Sequence, residues 1–365
     1  MLANLAANSK VAKTLDDGIG KSHAACMGLV IDLPAIAANW NALAARAPGA
    51  RAAAVVKADA YGLGADRVAP ALYAAGARDF FVALASEGRA IRPLLPDDAQ
   101  IFVLSGHMEG ADLSGLIPVL NSPEQFFRDR ALRPKGPFGI QLDSGMNRLG
   151  LEAGEWAAIR TEALAAGPAL VMSHLACADE PDHPANAQQL AAFRVMTEGV
   201  TAPRSLAATG GILLGPEYHF DLVRPGIGLY GGQPYTDARP VVLLALPVIQ
   251  MREVKPGESV GYGYAWVAQR VSRVATVAAG YADGLARALA REGGLKLWAG
   301  DIAVPVIGRI SMDLITVDVT DLPDVPATLE VLNPRQGVDD LAALSGTIGY
   351  EILTSLGRRY ERTWL

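Results

Sequence analysis

The chain has 365 residues, of which 51% are apolar and 19% are charged, and its 32 Lys and Arg against 38 Asp and Glu give a formal net charge of -6. This composition is too apolar for a disordered chain, and repeated apolar runs of about 20 residues, which would indicate a membrane protein, are absent. The acidic balance argues against a general binder of nucleic acids or anionic membranes, because such surfaces need an excess of Lys and Arg.

The length of the chain, its first 27 residues and its two cysteines indicate the class of protein. At roughly 150 residues per domain, the chain predicts two domains, or one barrel-sized domain with a smaller companion. Residues 1–27 lack the apolar core of about 7 to 15 residues that a secretory signal requires, so we interpret them as a poorly ordered leader. The two cysteines, Cys26 and Cys177, cannot form the disulfide framework of a small secreted domain. We therefore predict a reduced, cytoplasmic protein that acts on a small molecule.

From Leu29 onward, short apolar runs alternate with alanine-rich helical stretches, a pattern typical of parallel strands covered by helices. In the first unit, LVIDL precedes PAIAANWNALAARA, where Asp32 can cap the helix and Pro34 suits its first turn. Further runs predict strands at 52–56, 80–84, 101–105, 117–120, 138–142 and 169–173, with weaker candidates at 205–209 and before Arg224. About eight strands within roughly 200 residues favour a (β/α)8 TIM-type barrel over residues 28–244, with its active site at the carboxyl ends of the strands.

After about Pro240 the runs become short and β-branched, and Gly, Pro and Asp separate them. Examples are SVGYGYAWVA, RVSRVATVAAG and LITVDVTD. This pattern of short β-branched runs predicts a mainly-β C-terminal domain over residues 245–365. The predicted fold class is therefore α/β, with an N-terminal barrel and a C-terminal mainly-β domain.

Lys57 ends the apolar run AAAVV, and Tyr61 and two glycines follow within the next turn. A lysine at a strand end is usually only solvated, which is the alternative interpretation here. At a barrel mouth with an apolar floor, however, an ammonium group is partly desolvated, which lowers its pKa and allows a Schiff base with an aldehyde. Tyr61 would then be placed to contact an anion nearby.

Two further strand ends carry polar side chains. Arg148, in QLDSGMNRLG, points a fixed cation back at the barrel mouth or merely pairs with Asp143. His174 ends a strand in MSHLACADE, where a satisfied core histidine is the alternative. Neither residue identifies a function by itself.

Glycine-rich turns late in the predicted barrel suggest an anion site. Thr209 in LAATGG and the backbone amides around Gly226 and Ile227 in DLVRPGIGLYGG could hold a phosphate, as loops late in such barrels do. Arg224 lies just before the second turn. Glycines also serve plain loops, so this signal is weak alone.

The β region adds SVGYGYAW with Tyr262, AAGYADGLAR, and VIGRISMDLITVDVTD. Tyrosines in strands are ordinarily packing residues.

Taken in chain order, the motifs of this sequence resemble those of alanine racemases, which are pyridoxal-phosphate enzymes built from a barrel and a β domain. The motifs are VVKADAYGLG, LDSGMNRLG, SHLACADE, VRPGIGLYG, GYGYAW, GYADGLAR and GRISMD. The resemblance covers nearly the whole chain from Gly28 onward, and six or seven motifs in the right order make it specific.

The resemblance implies interconversion of L-alanine and D-alanine with pyridoxal 5'-phosphate, feeding peptidoglycan synthesis or alanine breakdown. Racemisation removes the α-proton from one face and returns a proton to the other, so two acid-base groups must flank the substrate. In the family these would be Lys57, which carries the cofactor and serves the D-isomer, and Tyr262, which serves the L-isomer. A hydrogen-bonded line from Tyr262 through His174 to Arg224 would favour the phenolate, and Arg224 would also face the pyridine nitrogen.

The resemblance also implies the binding residues. The cofactor-binding set is Lys57, Tyr61, Thr209, Arg224, Gly226 and Ile227. The substrate-binding set is Arg148, Met312 and Asp313, and the entrance set is Tyr281, Arg287, Arg309 and Asp179. No metal ligand is implied.

Three positions depart from the family pattern. Gln141 stands where many members have a carbamylated lysine, so the amide itself or an anion such as chloride would position Arg148. Thr209 stands where serine is common and keeps the hydroxyl. Arg358 replaces a tyrosine that some members use against the phosphate, with Tyr360 as a substitute to be tested.

Because Tyr262 lies in the β domain, the resemblance implies a head-to-tail homodimer in which each site receives Tyr262 and Met312 from the other subunit. A broader-specificity amino-acid racemase and a decarboxylase are alternatives with the same cofactor, although the retained Tyr262 counts against a decarboxylase. A non-catalytic pyridoxal-phosphate carrier is an alternative of another class, but such carriers lack a β domain. Neither a nucleic acid nor a membrane is an expected partner.

Overall fold

The computed structural model describes residues 27–291 and 294–365, which form two compact units. We call Asp32–Val241 the barrel unit, and we call the described residues up to Ile31 together with Val242–Leu365 the β unit. The β unit begins with strand β1 (Gly28–Ile31). The predicted leader, apart from its last residue, and Cys26 lie outside the described residues. Within the described ranges, no helix combines the length and the apolar character needed to cross a membrane.

Short parallel strands form a ring in the barrel unit. They are β2 (Arg51–Ala52), β3 (Ala54–Val55), β4 (Asp79–Val82), β5 (Gln100–Val103), β6 (Ile117–Leu120), β7 (Gly139–Gln141), β8 (Leu170–Met172), β9 (Arg204–Ser205) and β10 (Leu222–Val223). From β3 to β9, each strand pairs parallel with the next. β10 pairs with β2, and a bridge between Ala208 and Arg224 links the segments after β9 and β10. Because Ala53 alone separates β2 from β3, these pairings close a barrel of eight strand positions.

Most positions in these strands are buried, which explains their appearance in the sequence as continuous apolar runs. All four residues of β4 are buried. Phe81 in β4 stacks on Phe102 in β5, with 4.8 Å between the ring centroids. Full burial of a Phe side chain contributes about 1.5–3 kcal/mol, so this pair is a substantial part of the barrel core.

Helices follow most of the barrel strands. They are α1 (Leu33–Ala45), α2 (Lys57–Gly62), α3 (Ala65–Ala75), α4 (Ala85–Ile91), α5 (Pro123–Leu132), α6 (Ala153–Ala165), α7 (Ala185–Met196) and α8 (Thr209–Leu214). The first helix begins as predicted, because the Asp32 carboxylate accepts a hydrogen bond from the Ala35 N–H at 2.8 Å and Pro34 lies in the first turn. Short 3-10 helices occur at Arg92–Leu94, Pro216–Tyr218 and Ile227–Tyr230.

The β unit is built on an eight-stranded sheet. Its remaining strands are β11 (Val242–Val254), β12 (Ser259–Val260), β13 (Trp266–Val267), β14 (Ser272–Ala278), β15 (Lys296–Ala299), β16 (Ile302–Ile307), β17 (Leu314–Asp318), β18 (Thr328–Leu332) and β19 (Glu361–Trp364). The sheet order is β14, β17, β16, β15, β18, β11, β1, β19, while β12 and β13 pair only with each other. β11 also pairs with β14, so six of the strands close into a second barrel.

The length of β11 makes this second closure possible. Its first part pairs with β1 and β18, and its later part, from Val248, pairs with β14. The register shifts between Val248 and Gln250. Such a bulge bends and twists a strand, which lets β11 serve two sides of the barrel. Helices α9 (Val338–Ser345) and α10 (Gly349–Ser355) complete the unit, with 3-10 helices at Tyr262–Tyr264, Tyr281–Asp283 and Arg287–Ala290.

The strand that contains Leu29 departs from the prediction. The sequence pattern places it at the start of the barrel, but β1 pairs antiparallel with β11 and parallel with β19. A strand followed directly by a helix has the same local pattern in either sheet, so periodicity could not assign it. The weak candidate at 205–209 contributes only Arg204–Ser205. The predicted fold class, a TIM-type barrel with a mainly-β C-terminal domain, is confirmed.

Candidate active site

Lys57 lies two residues after the carboxyl end of β3, at the first position of α2. The next four residues, Ala58 to Tyr61, have φ between 52° and 57°, which is the left-handed region. This conformation costs a residue that carries a Cβ about 1–2 kcal/mol. α2 is therefore a left-handed turn that surrounding contacts must hold in place, and strain of this kind is concentrated at functional sites.

Contacts at both ends hold the left-handed turn. At its start, the Ala58 N–H donates a hydrogen bond to Glu87 Oε1 at 2.8 Å. At its end, the buried Tyr61 ring packs against Tyr230, with 4.6 Å between the ring centroids. The Tyr230 hydroxyl donates in turn to the Val55 carbonyl at 2.9 Å. The turn is thereby tied to the strand that precedes it and to a neighbouring helix.

Lys57 is half-buried, and several charged groups act on its amine. Burial lowers the pKa of Lys57 from its usual value, and the positive charges of Arg148 and Arg224 lower it further, while Glu87 opposes the shift. A lowered pKa increases the neutral fraction of the amine at a given pH. The environment therefore favours Lys57 as a nucleophile and as a base.

Arg224 is buried, with 3% of its surface exposed. Its Nη2 donates to the Ser173 carbonyl at 2.7 Å and to the Leu206 carbonyl at 3.3 Å, and its Nη1 donates to the Ser205 hydroxyl. Burial lowers the pKa of Arg224 to about 9, so the guanidinium remains charged at neutral pH. Throughout the described part of the chain, the hydrogen-bond partners of this side chain are neutral.

His174 follows the end of β8. Loss of hydration lowers the pKa of His174 to about 3, and the charges of Arg224, Arg148 and Lys57 add to the shift. The imidazole is therefore neutral at every physiological pH. Between the residues that the structure describes, no hydrogen bond joins His174 to Arg224, so the predicted hydrogen-bonded line stays a prediction.

Thr209 and the glycine-rich loop after Arg224 lie in direct contact. Thr209 Oγ1 accepts hydrogen bonds from the N–H groups of Gly226 at 3.0 Å and Gly228 at 3.3 Å. A Cβ on Gly226 would lie 2.5 Å from the Tyr61 hydroxyl oxygen, so only glycine fits there. The structure thus brings together Tyr61, Thr209 and Gly226, three of the residues predicted to contact a phosphate, with Ile227 next in the chain.

Gln141 supports the loop that carries Arg148. Its buried side-chain amide donates to the Leu149 carbonyl at 3.1 Å, next to Arg148 in the chain. Asp143 accepts a hydrogen bond from the Gly145 N–H at 2.8 Å and so stabilises the turn. The described ion pairs include none between Asp143 and Arg148, whose side chain is exposed. The amide therefore acts on the backbone beside Arg148, and the bound-anion alternative stays a prediction.

In the β unit, the side chains of Tyr262, Met312 and Tyr281 are exposed to 69%, 53% and 42%. The Tyr281 N–H donates to the Ser311 carbonyl at 3.1 Å, and the Ala282 N–H donates to the Met312 carbonyl at 3.0 Å. These backbone hydrogen bonds bring the loop of Tyr281 against the loop of Met312.

Sequence reasoning missed Arg359, which connects the same two loops. Its Nε and Nη2 each donate to a carboxylate oxygen of the fully buried Asp283 at 2.6 Å, and its Nη1 donates to Asp313 at 2.7 Å. Asp283 Oδ2 also accepts from the Gly280 N–H at 2.9 Å. Asp313, predicted to contact substrate, is thus an ion-pair partner of Arg359. No local pattern indicated this contact, because Asp283 lies 76 residues earlier in the chain.

The entrance residues, Arg358 and Tyr360 have defined positions in the structure, and no described hydrogen bond or ion pair joins them to one another. Arg287, Arg309 and Arg358 are exposed in the β unit, and Asp179 is exposed in the barrel unit. Tyr360 is buried, and its hydroxyl has no hydrogen-bond partner among the described residues. The entrance set and the substitution at Arg358 therefore stay predictions.

Two family models match the chain. The model described as alanine racemase, N-terminal domain, matches residues 31–234. The model described as alanine racemase, C-terminal domain, matches residues 241–364. Together these matches extend over both the barrel unit and the C-terminal strands.

Named relatives and solved structures are similar to nearly the whole chain. The alanine racemases of Cereibacter sphaeroides and Dinoroseobacter shibae are each 61% identical, over 341 and 340 residues, with 92% of this chain and 97% of each relative covered. The crystal structure of alanine racemase from Bartonella henselae with covalently bound pyridoxal phosphate has a TM-score of 0.88 and 39% identity, covering 93% of this chain and 100% of that chain. That of the biosynthetic alanine racemase from Pseudomonas aeruginosa has a TM-score of 0.86 and 36% identity, covering 93% and 99%.

Proposed function

Because this chain belongs to the alanine racemase family, we propose that Lys57 and Tyr262 are the two groups that exchange the α-proton of its substrate. Its reaction is the pyridoxal 5'-phosphate-dependent interconversion of L-alanine and D-alanine. The observation that carries the assignment of Lys57 is its position after a barrel strand, on a left-handed turn, with a lowered pKa. Family membership removes the decarboxylase and the carrier as alternatives.

The residues of the barrel unit fit the cofactor. A buried cation is costly unless it is paired or hydrogen-bonded, and the described partners of Arg224 are all neutral. This suits a ligand group that accepts a hydrogen bond, such as a pyridine nitrogen. We propose that the amine of Lys57 binds the aldehyde carbon, that Arg224 contacts the ring nitrogen, and that the phosphate is held by Tyr61, Thr209, Gly226 and Ile227.

When bound, the cofactor supplies an electron sink that makes the α-hydrogen of the amino acid acidic. The Nζ of Lys57 takes or returns a proton on one face, and its lowered pKa leaves more of the amine neutral and ready to act as a base. The phenol oxygen of Tyr262 does the same on the other face. A phenol with an ordinary pKa near ~10 is a poor base, and the neutral imidazole of His174 can donate a hydrogen bond that favours the phenolate.

Arg148 and the backbone of Met312 would hold the substrate carboxylate. Arg148 is exposed, carries no described ion pair, and offers a planar group that suits bidentate binding of a carboxylate. Asp313 contributes indirectly, because its carboxylate is held by Arg359.

Chiral chromatography tests the activity directly. Purified protein incubated with pyridoxal 5'-phosphate and L-alanine should form D-alanine until both isomers are present in equal amounts, and D-alanine should give the same mixture. A panel of other L-amino acids measures whether the enzyme is a broader-specificity racemase. Protein that carries the cofactor but forms no D-alanine would contradict the assignment.

We also propose a head-to-tail homodimer in which each site combines Lys57 with Tyr262 of the partner subunit. The exposure of Tyr262, Tyr264 and Met312 supports it, because exposed apolar and aromatic groups are typical of interfaces. The dimer can be tested by complementation. Lys57→Ala and Tyr262→Phe proteins should each keep about 1% of the wild-type activity or less alone. Random mixed dimers should regain roughly one quarter of the wild-type activity, since half the dimers are mixed and each has one intact site.

Co-expression with two different affinity tags provides the mixed dimers for this measurement, and native mass spectrometry counts them. Sedimentation gives the mass of the assembly. Mixed dimers that form but recover no activity would show that both groups of one site come from the same chain.

Gly226→Ala tests the close approach to Tyr61. The added Cβ would lie 2.5 Å from the Tyr61 oxygen, and Tyr61 is backed by Tyr230. Overpacking of this kind costs about 1–3 kcal/mol, so we expect affinity for pyridoxal 5'-phosphate to fall roughly 5- to 150-fold. Absorbance titration of cofactor-depleted protein measures it. Gly154→Ala, where a Cβ meets nothing within 4 Å, is the control, and equal affinities would refute the contact.

We propose the cytoplasm as the compartment of the enzyme. Cys177 is a free thiol, and a reducing compartment keeps such thiols reduced. Fractionation of cells that produce the full chain, with a compartment marker for each fraction, measures the location.

A further inference from the structure

Glu87 contacts two separate parts of the barrel unit with one carboxylate. Its Oε2 accepts hydrogen bonds from the Ala83 N–H at 2.7 Å and the Leu84 N–H at 3.2 Å, which caps the first turn of its own helix α4. Its Oε1 accepts from the Ala58 N–H at 2.8 Å, 29 residues earlier in the chain. A helix cap requires only the first of these contacts. The second joins α4 to the residue that follows Lys57.

The left-handed turn needs this second contact. Ala58 is the first of its four left-handed residues, and the strain of such a conformation must be offset by neighbours. A cavity of about 520 Å³ borders Ala58, Asp59 and Glu87, so close packing does not hold this side of the turn. The hydrogen bond from Ala58 to Glu87 therefore holds the start of the turn, beside Lys57, while other hydrogen bonds hold its later residues.

The charge of Glu87 also acts on Lys57. Three other ionisable groups on neighbouring elements interact electrostatically with Lys57: Arg148 after β7, His174 after β8 and Arg224 after β10. His174 is neutral, and both arginines disfavour a protonated amine. Glu87 is the group whose charge acts in the opposite direction, since it raises the pKa of Lys57.

We propose that Glu87 is a positioning residue for racemisation, which fixes the backbone beside Lys57 and supplies the negative charge that counteracts Arg148 and Arg224 at the Lys57 amine. This inference rests on the proposed role of Lys57. Its two parts, the charge and the hydrogen bond, give separate measurable effects, and neither measurement depends on turnover.

Glu87→Gln tests the charge, because the amide keeps an acceptor oxygen and loses the carboxylate. The full-length protein, freed of cofactor, is labelled with acetic anhydride over a pH series, and peptide mass spectrometry compares Lys57 with the exposed Lys135 of the same molecule. Only the neutral amine reacts. We expect Lys57 to label roughly three- to tenfold faster than in the wild type at a pH below its pKa, because a nearby negative charge is lost.

Glu155→Gln is the matched control. Glu155 occupies the same position in the first turn of α6, where its Oε2 accepts from the Glu152 N–H at 3.0 Å. The change removes the same charge from the same kind of helix cap without touching the turn of Lys57. If the Lys57 profile of Glu87→Gln coincides with that of Glu155→Gln, the charge part of the proposal is overturned.

Glu87→Ala tests the hydrogen bond. Hydrogen-deuterium exchange should become faster in peptides covering residues 57–62 as well as in α4, whereas Glu155→Ala should affect α6 alone. Unchanged protection at residues 57–62 would overturn the positioning part.

If Glu87→Gln does not fold, Glu87→Asp is labelled instead, because it keeps the negative charge. The labelling profile of Lys57 in Glu87→Asp should then shift less than in Glu87→Ala. An equal shift in the two variants would contradict the assigned charge effect. Absence of D-alanine in the activity assay would refute the proposed function without changing either result.

Discussion

Lys57→Ala is expected to lose racemase activity by at least about 10⁴-fold, because the change removes both the amine proposed to bind the cofactor and one of the two acid-base groups. Two neighbouring arginines help to lower the pKa of this amine. Arg148 and Arg224 add to the burial that lowers its pKa, so a neutral nucleophile is present at lower pH than in a solvated lysine.

The barrel unit offers a matched control for this change. Lys57 and Lys135 are its only two lysines, and Lys135 is exposed after α5. Lys135→Ala should keep wild-type activity and cofactor content. Chiral chromatography gives the rate, and borohydride reduction followed by peptide mass spectrometry locates the lysine that carries the cofactor. A Lys57→Ala protein within tenfold of the wild-type rate would exclude Lys57 as the essential amine.

Tyr262→Phe is expected to lower the racemisation rate by about 10²- to 10⁴-fold while cofactor binding stays unchanged, since only one proton-transfer group is lost. The loss should depend on the isomer. Lys57 still serves the face of D-alanine, so exchange of its α-hydrogen with solvent deuterium should continue. Exchange from L-alanine should fall with the racemisation rate. Proton NMR of each isomer in deuterated buffer measures both rates.

Tyr264→Phe is the control for Tyr262→Phe, because Tyr264 lies two residues away and is 75% exposed. It should racemise alanine at the wild-type rate. An equal loss of exchange from both isomers in Tyr262→Phe would point to damage to the whole site. A wild-type rate in that variant would remove Tyr262 from the mechanism.

The residues that sequence reasoning missed have partners far away in the chain. The helix cap made by Glu87 could be recognised from LASE, since its partners are three and four residues away. Its contact with Ala58 could not be recognised, because a helix and a strand come between them. Arg359 reaches Asp283 across 76 residues. Local patterns carry no information on which distant group a charged side chain will meet.

The motifs placed most of the barrel-unit candidates correctly relative to the strands. Lys57 follows β3 and His174 follows β8, as the positions of the apolar runs predict. Thr209 and Gly226 were predicted to serve one anion, and their direct hydrogen bond at 3.0 Å agrees with a shared location. The left-handed turn after Lys57 gave no sequence signal, because alanine, aspartate and tyrosine rarely adopt this conformation.

The amino-acid sequence alone determined the alternation of strands and helices, the capping of α1 by Asp32 and the position of Lys57 after a strand. Each of these depends on periodicity or on groups a few residues apart, which the chain order itself specifies. Tertiary structure alone decided that β1 joins β11 and β19, that Glu87 holds Ala58, and that Arg359 binds Asp283. These contacts join segments that are distant in the chain, and they form only when the closed sheets bring those segments together.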